Sequence, residues 1–479
     1  MARPRSYQEV CIEGIDMKGH GVAHRDGFAL FVEGALPGDI VDVDVRRRKS
    51  TRVECRTTTV RSRAIGRVKA FCSHFDDCGG CTWQDVGYGD QLEMKSLIVR
   101  TAFEQFRVTV DSPFEPILGS DATSEYRNRL DYSFSSRRWV TKSEAAAGSA
   151  IDRSGALGFH APKRFDKVLA IDHCYLQSEP TNRIRNSLES FAKGLGCEFY
   201  DPVKNSGYLR NLVIRTSIFG EVLVLIVFGY DDPQFRDAIA DHLLASFPEI
   251  TSLCGSVNPS VNDDLHPHPV FVLGGSSSIR ERCGENTLLI DAKSFYQTNP
   301  VQAEKLYAIV AHWAALCGTE TILDLYCGIG SIALYLANHC RRAIGIELQP
   351  AAIDRARENA KLNNVDNVEF RVGSAEEELP AIASRDPAPD LVILDPPRSG
   401  LHHKVIAALL TLRPRRIIYV SCNPASQAKN IADLEHQYRV TRVRPIDMFP
   451  HTRHVENIAE LTLRDRTLVS RFDSVSEIS

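Results

Sequence analysis

Three apolar runs, each broken at the same kind of place, constrain what this chain can fold into. Ile322-Leu323-Asp324-Leu325-Tyr326 leads into Cys327-Gly328-Ile329-Gly330. Leu391-Val392-Ile393-Leu394 leads into Asp395-Pro396-Pro397-Arg398, and Ile417-Ile418-Tyr419-Val420 into Ser421-Cys422-Asn423-Pro424. A short apolar run closed by Gly, Pro or Asn reads as a buried strand ending at a sharp turn. Open α/β sheets place their chemistry at the carboxyl ends of such strands. One sheet edge is therefore expected to carry a glycine turn, a carboxylate and a thiol, which implies a nucleotide-type cofactor beside a thiol nucleophile.

The surrounding pattern supports a doubly wound sheet from about residue 286. Strands fit 321–326, 342–346, 367–372, 390–394, 415–420 and 458–463; helices fit 301–316, 330–340, 350–363, 402–412 and 425–437. Residues 71–285 read as a mixed α+β domain. Its helices are expected at 90–106 and 233–246, its strands at 129–135, 211–218 and 221–229, and an exposed polar loop at 136–156. Residues 1–70 alternate short β-rich runs with Gly and Pro turns, the pattern of a small barrel of the oligonucleotide-binding kind. The expected domains are thus 1–70, 71–285 and 286–466, followed by a polar tail at 467–479.

Composition matters mainly for what it excludes. No run of about 18 apolar residues exists, so no membrane span is expected. The start, Met1-Ala2-Arg3-Pro4-Arg5-Ser6, has no apolar segment of a secretion signal, so a cytoplasmic protein is expected. A formal net charge of −4 does not advertise nucleic-acid binding, yet residues 1–70 hold 14 Lys/Arg against 9 Asp/Glu, with Arg46-Arg47-Arg48-Lys49 in one run. Such a run is either a solvated loop or part of an RNA footprint. Thirteen cysteines in a long chain without a signal peptide fit metal binding and thiol chemistry better than a disulfide framework.

At the first strand end, Gly328 and Gly330 allow a ligand to approach the backbone. The next strand ends in Glu347, placed to accept hydrogen bonds from ribose hydroxyls. The short G-x-G, the acid 17 residues beyond Gly330 and the Asp-Pro-Pro on a later strand together favour S-adenosylmethionine over NAD. Two prolines fix the turn after Asp395 and so hold its carboxylate. Cys422 as thiolate can add to C6 of a uracil ring and make C5 nucleophilic. A base must then remove the C5 proton, and Met448-Phe449-Pro450-His451-Thr452-Arg453-His454-Val455-Glu456 offers Glu456, His451 and His454.

With these residues in view, the chain resembles the RNA uracil-C5 methyltransferases that carry an iron–sulfur cluster, enzymes forming 5-methyluridine in ribosomal or transfer RNA. Phe31-Val32-Glu33-Gly34-Ala35-Leu36-Pro37-Gly38 looks like their TRAM barrel. Ser294-Phe295-Tyr296-Gln297-Thr298-Asn299, Ser421-Cys422-Asn423-Pro424 and Phe449-Pro450-His451-Thr452 resemble their catalytic motifs. The resemblance implies a Rossmann-like class I methyltransferase domain with Cys422 as nucleophile and Glu456 as base. It places Gln297, Tyr326, Glu347 and Asp395 on S-adenosylmethionine. Ser331 and Ser374 stand where some members have Asn, and Thr298 where Val is frequent. Ribosomal RNA, 23S above all, is the expected partner, with transfer RNA second; a monomer is expected.

Cys72-x5-Cys78-Gly79-Gly80-Cys81, with Cys174 far downstream, can close on one ion or cluster, since two glycines permit a tight wrap. Spacing alone leaves zinc and iron–sulfur open; the resemblance implies [4Fe–4S]. The first gap is five residues, unlike the three of radical S-adenosylmethionine enzymes, and Cys174 supplies a fourth ligand, so a structural cluster is expected. Cys11, Cys55, Cys197, Cys254, Cys283, Cys317, Cys327 and Cys340 read as packing residues. Glu125-Tyr126-Arg127-Asn128-Arg129 and Tyr208-Leu209-Arg210-Asn211 mix Arg with aromatics and are candidate RNA contacts. Two other classes remain in view: an RNA-binding assembly factor without activity, and an amino-methylating enzyme of adenine or guanine, whose aromatic after Asp-Pro-Pro is here Arg398.

Overall fold

The computed structural model describes residues 5–464, apart from Ile65, 148–153, Lys163 and Asp386-Pro387. The expected tail at 467–479 and part of the expected 136–156 loop lie outside the described residues.

The catalytic half is a seven-stranded sheet in the order Val368–Val372, Arg342–Glu347, Thr321–Leu325, Leu391–Leu394, Arg416–Ser421, Glu456–Leu463, Tyr438–Ile446. The first five strands run parallel, and the last two pair antiparallel with their neighbours. Successive strand residues face opposite layers. Ile322, Ile393, Ile418 and Val420 pack in one core with Leu306 and Val310 of helix Pro300–Ala314 and Leu334 of helix Ser331–Ala337. Leu323, Leu325, Val392, Leu394 and Tyr419 pack in the other with Val405 and Leu409 of helix His403–Leu412 and Ile431 of helix Pro424–Leu434. Burial on both faces explains why these strands read as unbroken apolar runs.

Helix Tyr88–Gln105 belongs to the middle of the chain, yet its Met94, Ile98 and Val99 join this second core. The central domain is thereby welded to the catalytic sheet. Its own seven-stranded sheet runs Val270–Gly275, Ile250–Val257, Val222–Phe228, Leu209–Thr216, Arg129–Ser135, Ala156–His160, Val168–Ala170. One face, with Leu223, Leu225 and Val227, packs into the first catalytic core. The other face is covered by helices Thr181–Gly194 and Pro233–Ser246 through Ile184, Leu188, Ile239 and Leu243. At the N-terminus six strands between Ser6 and Ser62 enclose a separate core that includes Leu30, Val32, Val41, Val43 and Val53. Arg48 of the basic run lies over the Tyr7 and Phe28 rings, while Arg46 and Arg47 are not buried.

Four features depart from the sequence reading. Strand Tyr438–Ile446 was not expected, because Arg439, Arg442 and Arg444 interrupt its apolar pattern; each is ion-paired along the sheet edge, to Asp111, Glu460 and Glu115. Helix Ala375–Arg385 was hidden by Pro380 in its interior. The expected boundary at 285/286 cuts a hairpin, since Ser278–Cys283 pairs with Asn286–Asp291 and Cys283 faces Asn286. Within the expected 136–156 loop, Lys142–Ala147 is a short helix and Ala156 opens a strand as a buried residue. Among the described residues no helix is long and apolar enough to cross a membrane.

Candidate active site

The carboxyl ends of the catalytic strands open onto a cavity of about 900 Å³. Gln297, Tyr326, Glu347, Asp395, Cys422 and Glu456, all singled out from sequence, line it. Local structure fixes each one. Asn423 caps helix Pro424–Leu434, its side chain accepting from Ala425 N at 3.2 Å with Pro424 at the first helical position. The same Asn423 amide donates to Arg398 O at 2.8 Å, tying the Cys422 turn to the Asp-Pro-Pro-Arg turn. Tyr326 holds a left-handed backbone (φ 66°), a conformation a bulky residue adopts only when its surroundings impose it. Gly328 is also left-handed (φ 55°), and a Cβ there would meet nothing within 4 Å, so the loop leaves open space toward the cavity. Its amide donates to Glu347 Oε2 at 3.2 Å, and Gln349 N to Oε1 at 3.0 Å.

The site concentrates carboxyl groups, with Asp324, Glu347, Asp395 and Glu456 among its walls. Asp324 Oδ2 accepts from Ala333 N at 3.0 Å, while Oδ1 is buried without a partner. Burial, then the neighbouring Asp395, pushes the Asp324 carboxyl up to about 8. Burial alone pushes Asp395 up to about 7. Glu456, only 3 % exposed, is pushed up to about 8 by burial and by Asp395, with Arg398 acting in the opposite direction. Cys422 is pushed up to about 11 by burial and then by Glu456, again opposed by Arg398. Arg398 itself reaches His454 Nδ1 at 2.8 Å; burial and then Arg398 push that imidazole down to about 4. His454 is therefore neutral and bonded to the guanidinium, a poor base, and His451 is engaged elsewhere by Gln91. Of the three candidate bases, Glu456 alone pairs a carboxyl in the cavity with a raised proton affinity. A carboxylate-rich pocket suits a cationic ligand. The open glycine turn, the acid at Glu347 and the partnerless Asp324 oxygen make the pocket fit S-adenosylmethionine.

A second, much smaller cavity of about 70 Å³ lies behind the first. Cys72, Cys78, Cys81 and Cys174 line it together, and Gly80 and Arg127 line both cavities. All four cysteines are free. Burial pushes Cys78 up to about 11 and Cys81 up to about 12, and the neighbouring thiols add to both shifts. Among the described residues no group of three or more His, Cys, Asp or Glu converges closely enough to hold a single metal ion.

The sequence profile of the tRNA (uracil-5-)-methyltransferase family matches residues 289–463, and that of the TRAM domain residues 2–53. Proteins described as uncharacterized RNA methyltransferases are 39 % identical in Bacteroides thetaiotaomicron, over 93 % of this chain and 99 % of the relative, and in Porphyromonas gingivalis, over 94 % and 98 %. The crystal structure of the Pyrococcus abyssi tRNA (uracil-54, C5)-methyltransferase with S-adenosyl-L-homocysteine superimposes with a TM-score of 0.71 and 30 % identity, covering 95 % of this chain and 99 % of that one. The chain belongs to the RNA uracil-5-methyltransferase family. It is an S-adenosylmethionine-dependent methyltransferase with a class I catalytic fold and a TRAM domain at its N-terminus.

Several site residues of this family member escaped the sequence reading as cavity-lining groups: Asp324, Phe449, Thr452 and Arg398. Position after a strand end was available as a signal for Asp324 and Arg398; the others lie on a loop whose course periodicity does not predict. Both expected RNA-contact motifs need correction. Tyr208 is fully buried and Arg210 is 2 % exposed, its guanidinium donating to Asn258 O, Ser260 O and Asn262 O. Tyr126 is buried and donates to Pro450 O, and buried Asn128 to Gln297 O. Of these residues Arg127 reaches the cavity. Two of the expected packing cysteines, Cys11 and Cys317, are exposed.

Proposed function

We propose that this protein methylates C5 of one uridine in a structured RNA, 23S ribosomal RNA foremost, with Cys422 as nucleophile and Glu456 as base. One observation carries the reading: a thiol and a buried carboxyl of raised proton affinity line the same cavity as the Glu347 and Asp395 strand ends. Cys422, after losing its proton to water, adds Sγ to C6 of the flipped uracil, and the C5–C6 π electrons move onto the C5–C4–O4 enolate. When bound, S-adenosylmethionine supplies a methyl group made electrophilic by its positively charged sulfur. C5 takes that methyl and the donor leaves as the neutral thioether. The Glu456 carboxylate then accepts the C5 proton, the C–H electrons restore the C5–C6 double bond, and the thiolate departs from C6. Arg398 favours both anions, on Cys422 and on Glu456. Glu347 is placed for the donor's ribose, with Gln297, Tyr326 and Asp395 around the rest of it.

The four cysteines we assign to a [4Fe–4S] cluster. Four thiols ringing a cavity suit a bulky cluster better than one zinc ion, whose bonds of about 2.3 Å draw the sulfurs onto a point. Neighbouring thiols oppose the ionisation of Cys78, Cys81 and Cys174, which also calls for a cationic group among them.

Transfer RNA is the second reading, favoured by the printed substrate of the Pyrococcus enzyme. Transcribed 23S rRNA and tRNA, each containing 5-fluorouridine, separate the possibilities. With S-adenosylmethionine the wild-type protein should form a denaturant-stable adduct with one of them, and Cys422→Ala with neither. An adduct that survives in Cys422→Ala, or methyl transfer to a purine amino group, overturns the reading. Mapping 5-methyluridine in total RNA with and without the protein names the nucleotide.

A further inference from the structure

Helix Tyr88–Gln105 carries polar side chains on its buried face. Tyr88, Gln91 and Lys95, at i, i+3 and i+7, share one side of the helix. Gln91 and Lys95 are fully buried. What they face is the nine-residue connection Asp447–Val455, between the antiparallel strands at the end of the catalytic sheet. Lys95 Nζ donates to Asp447 Oδ1 at 2.5 Å and to Phe449 O at 2.9 Å. Both members of this ion pair have no exposed side-chain surface. Tyr88 OH donates to Asp447 Oδ2 at 2.9 Å, and Phe449 N to Oδ1 at 2.9 Å. Gln91 Oε1 accepts from His451 N at 2.8 Å, its amide donates to Trp83 O and Val86 O, and Thr82 N and Trp83 N both donate to His451 O. His451 sits in the left-handed region (φ 65°), a strained backbone that these bonds impose.

Register makes this network consequential. Ile446 pairs with Glu456 across the base of the connection, and Asp447 is the next residue. The buried ion pair therefore pins the chain one residue from the cross-strand partner of the base. Cys422 is held by other means, the Asn423 cap and the Arg398 carbonyl. The connection carries Phe449 and His454 and ends at Glu456, so this network sets where those three side chains sit in the cavity.

We propose that Lys95, with Tyr88 and Gln91, are positioning residues that hold Glu456 against the C5 proton, so that their loss slows elimination from C6 more than addition or methyl transfer. The proposal rests on the function given above. Lys95→Met and the milder Tyr88→Phe test it, in the full chain, on 23S rRNA and tRNA transcripts made with uridine or with 5-fluorouridine. Wild type should form the adduct on the 5-fluorouridine transcript of its substrate and turn over the uridine one. In the variants kcat on uridine RNA should fall about tenfold to a hundredfold. The rate of adduct formation on 5-fluorouridine RNA should stay within about threefold of wild type, because that step precedes proton removal. A denaturant-stable adduct bearing a transferred methyl should then accumulate on ordinary uridine RNA, which a merely structural role does not produce. Parallel loss of kcat and adduct formation, or unchanged kcat in Tyr88→Phe, overturns the proposal. Tyr88→Phe carries the test alone if Lys95→Met does not fold. Absence of any wild-type adduct instead overturns the reading of Cys422 beneath it.

Discussion

Two cavities share the walls Gly80 and Arg127, and both contain cysteine pushed up to about 11, Cys422 in the large one and Cys78 in the small one. The same burial has opposite meanings in the two places. In the large cavity the Cys422 thiol faces Arg398, which favours its anion, and Glu456, which opposes it. Burial and Glu456 favour the protonated thiol, and under the mechanism proposed above it attacks as the anion that Arg398 favours. In the small cavity neighbouring thiols oppose the ionisation of Cys78, Cys81 and Cys174, and a bound cationic group would relieve that repulsion. The large cavity joins strand ends to the loop residues Phe449, Thr452 and His454. The small one is lined by loop cysteines together with Leu130 and Phe159 of two strands, and Thr82 and Trp83, next to Cys81, brace the connection that leads to Glu456.

The sharpest way to break this distinction is to remove one thiol from each side. Cys422→Ala should lower kcat/KM for RNA by at least about 10⁴-fold. Its melting temperature and binding of S-adenosyl-L-homocysteine should stay close to wild type, since the Asn423 cap survives. Comparable losses of stability and activity would show that Cys422 is a packing residue after all. Glu456→Gln should cost about 10² to 10⁴-fold in kcat while leaving adduct formation intact, because the amide cannot take the C5 proton. An equal fall in adduct formation would move Glu456 from the elimination step to the addition step.

Cys81→Ser addresses the other cavity. It removes one of the four ligands proposed above and should lower the melting temperature by on the order of 10 °C. Iron and sulfide content measured on the anaerobically purified protein should fall together. Activity should drop about tenfold to a hundredfold through the loosened Thr82 and Trp83 contacts to His451. A variant that keeps its melting temperature and activity would separate the small cavity from the catalytic loop.

How much of this was legible depends on which cavity is considered. Strand ends announce themselves because burial on both faces demands an unbroken apolar run, and the chain must then turn at Gly, Pro or Asn; Glu347, Asp395 and Cys422 follow from that alone. The brace was not legible. Tyr88, Gln91 and Lys95 have the spacing of an ordinary solvated helix face, and only the fold shows that face buried against Asp447. Arg210 was misread in the same way, since an Arg beside aromatics reads as an RNA contact until its buried guanidinium is found bonded to loop carbonyls. Periodicity reports which apolar residues are inside. It is silent about polar residues buried because a partner far along the chain satisfies them.

The smallest expected effect concerns charge in the large cavity. Asp324, Asp395 and Glu456 all have proton affinities raised by burial, to about 8, 7 and 8. In the ligand-free protein each such carboxyl contributes stability below its unfolded value near 4, and loses it as pH rises through 7 to 8, where ionisation leaves a buried negative charge. A cation in the cavity reverses that penalty, and a neutral ligand does not. The melting-temperature increase given by S-adenosylmethionine should therefore grow between pH 6 and pH 8.5, while that given by S-adenosyl-L-homocysteine stays flatter. Their affinity ratio should change by roughly threefold to tenfold over that window in favour of the donor. The Asp395→Asn variant, one carboxyl poorer, should show a shallower dependence, and identical pH profiles for the two ligands would mean that the sulfonium charge is not felt by these carboxyls.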